Sequence, residues 1–470
     1  MRKLKEVAIL LLFAFSCCAL FWLTGSRTPW TLFQDSSRKD GYSVYLGDVP
    51  VENYDRMGFT RALIEYVKNE EGWLVGTDRG ELFLLDKKGK QLWKRSLGIG
   101  KLVSLATPDG KIAYVGESSA EGNLYGIEIQ TGDILWRHKG ADFAGSDASM
   151  RSYPATVHIA VDKAGNAYAN IYRFIMDEKG NRTYCGRMIA VSVKGDLIWK
   201  FPAEERIDSW INWCDVSDAA QRVVISTSSF DFRPEMKYKS TMYFLDQKTG
   251  RLLEERFIPP VEPFDNTVMR GSPNFSADGN YLAGSASDGR GFYLDKTGKL
   301  LWWRYLSKAT KVDNAWINAS GRDGYILPQG VLFTTINTFN RENWQLPTPV
   351  EHPSNSSLFM FSPEGKFKYQ YQGRAPIENL AFAAGKAACA IGRNVRTHAY
   401  TAHGLVVLDL ASGREEAFYP TAGPCQAAGI SDDGRWVAGV EAPAITPEGK
   451  IIGAYRLHIW DRLKREESND

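Results

Sequence analysis

Seven glycines, Gly89, Gly132, Gly195, Gly250, Gly298, Gly365 and Gly413, each close a polar turn after a short apolar run. Four of them are followed four residues later by tryptophan, at Trp93, Trp136, Trp199 and Trp302, and the other three by Glu254, Tyr369 and Ala417. Glycine at such a place accepts the positive φ that ends a short hairpin loop. An aspartate at the turn entry, as in Tyr293-Leu294-Asp295-Lys296-Thr297-Gly298, bonds the turn amides locally. A second hairpin lies upstream in most repeats and shows best in Ser276-Ala277-Asp278-Gly279 and Ser431-Asp432-Asp433-Gly434. Two hairpins per repeat make one four-stranded antiparallel sheet, with strands A to D.

Four-stranded sheets recurring every 40 to 50 residues or so mark a β-propeller. Period-two alternation recurs along the chain, whereas helical spacing is confined to the N-terminus. The blades are expected at 56–98, 99–140, 150–203, 207–258, 267–307, 312–373, 376–420 and 423–463, which makes eight. The last supplies strands A to C and then runs into Lys464-Arg465-Glu466-Glu467. Its outer strand is expected from the other end of the chain, where Tyr42–Leu46 is a lone extended segment. Pairing there satisfies an open edge and ties the termini together. The alternative is a seven-bladed ring with one terminal unit as an appendage.

The chain has 470 residues and 44% hydrophobic content, enough for one closed propeller at 42–463 with no second domain. Its 57 Lys plus Arg balance 55 Asp plus Glu without a block of like charge, which leaves nucleic acid no electrostatic footprint. The apolar run from Val7 to Leu23, behind Arg2, Lys3 and Lys5, reads as a membrane-targeting segment, a hydrophobic helix at 7–24. A basic flank at 1–6 stays cytoplasmic, a linker occupies 25–41 and a charged tail 464–470. The segment is an uncleaved anchor, a cleaved signal or a lipoprotein leader acylated at Cys17 or Cys18; each places the propeller across a membrane, periplasmic or at the cell surface. Cys185 with Cys214 and Cys389 with Cys425 are either disulfides between neighbouring blades or buried free thiols.

Thr131-Gly132-Asp133-Ile134-Leu135-Trp136 and Thr297-Gly298-Lys299-Leu300-Leu301-Trp302 resemble the repeats of pyrroloquinoline-quinone-like propellers, which end in Thr-Gly and then a tryptophan that packs between blades. The likeness covers roughly 56–463 and implies fold more than activity. It brings in two kinds of relative, quinoprotein dehydrogenases and non-catalytic propellers of outer-membrane assembly. The enzymes of the family use adjacent cysteines over the quinone, calcium ligands and an aspartate base. Here the only adjacent cysteines are Cys17 and Cys18, inside the apolar segment. No Asp-x-Asp-x-Asp-Gly loop, Gly-x-Ser-x-Gly elbow or His-Glu-x-x-His occurs. No enzyme activity, cofactor or metal site is therefore expected; His398 and His403 share one polar loop without a visible third ligand.

Function is sought where the loops are long. A–B and C–D turns open on one face of a propeller, B–C loops and D–A connections on the other. The A–B and C–D turns here are short, while B–C insertions are expected near 171–187, 228–240, 337–357, 393–404 and 441–454. These loops carry Tyr172, Arg173, Phe174, Phe232, Arg233, Phe339, Arg341, Trp344, Arg396 and Tyr400. Aromatic residues interspersed with arginine are the composition of protein-interface anchors. The alternative is that the loops pack on one another over the channel mouth. The reading is a membrane-tethered or exported scaffold that binds a protein partner through this face. A quinoprotein-like oxidoreductase and a glycan- or cell-wall-binding propeller are the other two readings.

Overall fold

The computed structural model describes residues 41–48, 63–98, 100–146, 153–176, 182–228, 238, 241–341, 348–392, 402–446 and 448–466. The segment at 7–24, its basic flank and most of the linker lie outside them. Among the described residues no helix is long and apolar enough to cross a membrane.

The fold is all-β and built from four-stranded antiparallel sheets. In the first, Leu63–Val67, Gly72–Gly76, Glu81–Asp86 and Gln91–Ser96 pair in chain order. The same order recurs at 101–138, 155–201, 210–256, 274–305 and 377–420. A single pairing, Ala155 with Ser118, joins the second sheet to the third. The sixth, at 310–372, has long inner strands at Ala315–Leu327 and Gly330–Asn340, and Thr310–Val312 folds back on the first of them. In the last, Cys425–Ile430, Trp436–Glu441 and Arg456–Asp461 are joined by Gly41–Tyr45 as outer strand. Ser43 lies opposite His458 and Val44 opposite Leu457. The lone N-terminal segment therefore does pair with the C-terminal sheet, and the charge run after it begins as a short helix, Arg462–Glu466.

The core lies between sheets rather than within them, because each sheet has two apolar faces to cover. Leu74, Leu84, Val115 and Ile127 fill the seam of sheets one and two, and Tyr168, Trp199, Ile225 and Tyr243 that of three and four. The last seam joins the ends of the chain: Val44, Ile459 and Trp436 pack with Trp73 and Phe83 of the first sheet.

The glycine turns explain the repeat. Asp86, Asp246, Asp295 and Asp409 each accept turn amides, for example from Lys90 N–H at 2.8 Å and Thr297 N–H at 2.8 Å. The tryptophan that follows a turn packs on the next sheet's turn. Trp93 Nε1 donates to Ile129 O at 2.7 Å, Trp136 to Val193 O at 3.1 Å, Trp199 to Gln247 O at 2.9 Å and Trp302 to Pro363 O at 2.8 Å. Tyr369 does the same through its hydroxyl, to Leu410 O at 2.8 Å. Each of these rings lies against the glycine of the turn it bonds, so that a Cβ on Gly195 would sit 2.5 Å from Trp136. Where Glu254 replaces the indole, Phe244 and the stem of Arg256 press on Gly298 instead, and Val44 of the N-terminal strand presses on Gly89. Trp199 is buried, but Trp93, Trp136 and Trp302 are only half-buried, because strand D is the outer rim.

Two expectations need correction. The third sheet has no long irregular B–C loop at 171–187: Ala167–Met176 and Arg182–Val191 pair continuously, from Ala167 with Val191 to Met176 with Arg182. The two strands run on past their pairing with the neighbouring strands, which ends at Tyr172 and Met188. Of the two readings of the cysteines, free thiols is the one found: Cys185, Cys214, Cys389 and Cys425 are all unbridged, and the last three are buried.

Candidate functional site at the channel mouth

Each inner strand starts, and each strand B ends, on the face of the D–A connections and B–C insertions. Near their starts several inner strands carry a β-bulge, where one extra residue breaks the pairing register. The bulged residues are Val103, Val157, Asn212, Glu378 and Gln426, with Arg322 and Asp323 inside a wider irregularity. A bulge turns a side chain out of the ladder and re-aims it. Five of these residues, Val157, Asn212, Arg322, Asp323 and Glu378, line one cavity of about 410 Å³ at the channel mouth.

Aromatic rings form one wall of this cavity. Trp210 lies 5.6 Å from Tyr172 and 6.2 Å from Tyr184, centroid to centroid. Trp213 stacks on His158 at 3.6 Å, and its Nε1 donates to Asn274 Oδ1 at 3.0 Å. Burial pulls His158 down to about 4, so the imidazole is neutral and stacks as an aromatic ring at neutral pH. Asn212 is held by its Nδ2–H to Met269 O at 2.9 Å.

The opposite wall is charged. Arg322 Nη1 donates to Ile377 O at 3.2 Å and Nη2 to Glu378 O, which ties the sixth sheet to the seventh. Its guanidinium also lies 3.6 Å from Asp323 and 4.0 Å from Glu378. Burial works against its charge, but these two carboxylates prevail and hold it above its ordinary range. Arg270, from the connection that precedes the fifth sheet, is solvent-exposed yet pushed the other way, by desolvation among the surrounding atoms and by the like charge of Arg322. Below them, burial raises Asp215 to about 6, although its carboxylate accepts Phe275 N–H at 2.7 Å.

The arrangement offers flat indole and phenol faces to one side of a ligand and two guanidinium groups to the other. Among the described residues no three His, Cys, Asp or Glu side chains gather as metal ligands.

The residues singled out in the sequence fall out unevenly. Tyr172 lines the cavity. Arg173 is only 9% exposed and donates from Nε to Ala144 O at 2.9 Å. Arg341 donates to Asn318 Oδ1 and to Ser287 O, and its guanidinium lies 5.1 Å over Phe264 and 5.2 Å over Phe339. Both arginines therefore tie their strands to neighbouring segments of the chain, Arg173 to Ala144 and Arg341 to Phe264 and Ser287. Phe232, Arg233, Trp344, Arg396, Tyr400 and His398 lie outside the described residues, and His403 is buried. Trp210, Trp213, Arg270, Arg322, Asp323 and Glu378 were missed by looking only at B–C loops. The connection Asp208-Ser209-Trp210-Ile211-Asn212-Trp213 opens on the same face and carried the same aromatic signal.

Residues 61–169 match the family described as outer membrane protein assembly factor BamB. No curated protein matches the chain. Among solved structures, BamB from Moraxella catarrhalis superposes over 85% of this chain and 96% of its own, with 12% identity and a TM-score of 0.50. A europium-containing methanol dehydrogenase covers 83% of this chain and 89% of its own, at 11% identity and TM-score 0.52. The quinohemoprotein alcohol dehydrogenase from Comamonas testosteroni covers 89% and 78%, at 12% and 0.52. The resemblance to pyrroloquinoline-quinone-like repeat propellers read from the glycine turns is met, and at these identities the structural likeness concerns the fold.

Proposed function

We propose that this chain is a non-enzymatic, exported or membrane-tethered scaffold, an eight-bladed ring closed by its N-terminal strand, which holds a protein partner at the channel mouth. One observation carries the reading: Tyr172, Trp210 and Trp213 converge with Arg270 and Arg322 in one cavity on the face where the insertions open. Rings beside guanidinium groups are what interface anchors are made of. The BamB family match over 61–169 supports a scaffold role, and the apolar run at 7–23 supports export. Trp210→Ala and Arg322→Gln are the variants to test. Affinity capture of the full chain from its own membranes should lose the same partner in both, with the unfolding midpoint of Trp210→Ala little changed. Undiminished capture by both variants would remove the channel mouth from the account.

A quinone-type enzyme is the second reading, because indole faces beside two guanidinium groups suit a planar anion. The residues present fit it poorly: no vicinal cysteine pair exists in the propeller, and no metal-ligand group occurs among the described residues. Dye-linked alcohol oxidation on addition of the quinone and calcium would favour it over the scaffold.

A further inference from the structure

A second cavity, of about 320 Å³, lies in the seam where the first strand joins the last sheet. Ser43, His458 and Glu441 stand on three neighbouring strands, with Ser43 directly across from His458. Glu441 is fully engaged. One oxygen accepts Gly423 N–H at 3.0 Å and Ala454 N–H at 2.9 Å, and the other meets His458 Nε2 at 2.6 Å. Nε2 therefore carries a proton, and Nδ1 is left as the ring's second polar atom. Ser43 is 7% exposed, and its hydroxyl has no hydrogen-bond partner among the described residues. Arg456 lines the same cavity and has no carboxylate partner among the described residues; it faces Glu441 across the strands, but that carboxylate is spent on His458. Among the described residues its guanidinium has only the ring of Tyr45, at 5.9 Å. The remaining wall is apolar: Trp460, stacked on Tyr419 at 4.9 Å, with Gly41 and Ala422.

A buried hydroxyl without a partner is costly to leave so, and a guanidinium without a carboxylate is a ready bidentate donor. We propose that this seam binds a small monocarboxylate with an apolar or ring-shaped body. The carboxylate takes Arg456 and the Ser43 hydroxyl, and the ring lies against Trp460. Because Ser43 belongs to the first strand and Arg456 to the last sheet, such a ligand spans the closure of the ring and stabilises it by binding only the folded form. The same chemistry comes from a free acid or from the C-terminal carboxylate of a peptide.

Calorimetric titration of the full-length chain in detergent with benzoate, benzyl alcohol, a dipeptide ending in phenylalanine and the amide of that dipeptide tests this. Benzoate is expected to bind saturably and raise the unfolding midpoint, and benzyl alcohol and the dipeptide amide to do neither. Arg456→Gln should weaken benzoate about tenfold or more, the usual loss when a charge-assisted hydrogen bond is removed. Ser43→Ala should weaken it too, with an unchanged or raised midpoint in the absence of ligand, since it deletes a hydroxyl that bonds nothing. Arg414→Gln, an exposed charge elsewhere, should bind benzoate like the parent. Dipeptide tighter than benzoate identifies a chain terminus as the ligand, and the reverse identifies a free acid. No saturable benzoate or dipeptide binding, or equal binding by the parent and both seam variants, overturns the proposal.

Discussion

Substituting Gly195 by alanine isolates the contact that makes this sequence a ring of sheets. Gly195 has φ +94°, and its ideal Cβ would lie 2.5 Å from Trp136 Cγ of the preceding sheet. Left-handed backbone costs an alanine about 1–2 kcal/mol. Forcing a methyl into a filled contact costs a further 1–3 kcal/mol or so. Gly195→Ala should therefore destabilise by about 2–5 kcal/mol. Gly449 separates the two effects: it has φ +77° but nothing within 4 Å of its Cβ, so Gly449→Ala should cost only the backbone part. Trp136→Ala removes a half-buried indole and its bond to Val193 O, a loss below the roughly 3–5 kcal/mol of a fully buried tryptophan. In the double variant the clash has no partner, so the cycle should show a coupling of about 1–3 kcal/mol. Urea midpoints at matched slope measure all four proteins. A Gly195→Ala cost no larger than that of Gly449→Ala, or an additive cycle, would refute the claim that the turn glycine exists to seat the neighbouring indole.

Val44→Asp places a charge in the seam between the last sheet and the first, where Val44 is 1% exposed. It should release the N-terminal strand, so that limited proteolysis cuts near residues 40–48 well before the other sheets open. Asp215→Asn should flatten the acid side of the stability profile. The carboxyl's folded value of about 6 lies above its unfolded 3.8, so the native state holds its proton more tightly. This contribution is present below about 4 and lost as pH rises through 6, and the asparagine, which keeps an acceptor for Phe275 N–H, should gain on the parent above pH 6 in thermal melts.

The repeat was legible because it is local. Asp-x-Thr-Gly fixes a turn whatever surrounds it, and Tyr42–Leu46 stood out as a strand without a hairpin mate. Which turn each tryptophan serves was not legible, because Trp136 bonds Val193, and the partner is 57 residues away. The channel mouth was half visible. Loop asymmetry picked the face on which the cavity opens, and Tyr172 in its wall, but nothing in Ile211-Asn212-Trp213 or Arg322-Asp323 announces a bulge, since the register slip depends on the partner strand. Composition did not show that Arg173 and Arg341 bond neighbouring segments of the chain, through Ala144 O and Ser287 O.

The central claim is that the molecule meets its partner at the mouth of the channel. A photo-crosslinking residue placed at Tyr172, inside the cavity, and another at Lys248, in a C–D turn on the opposite face, compare the two ends in intact membranes. The account predicts one discrete protein adduct from position 172, lost in an Arg322→Gln background, and none from 248. Adducts from 248 alone would contradict it.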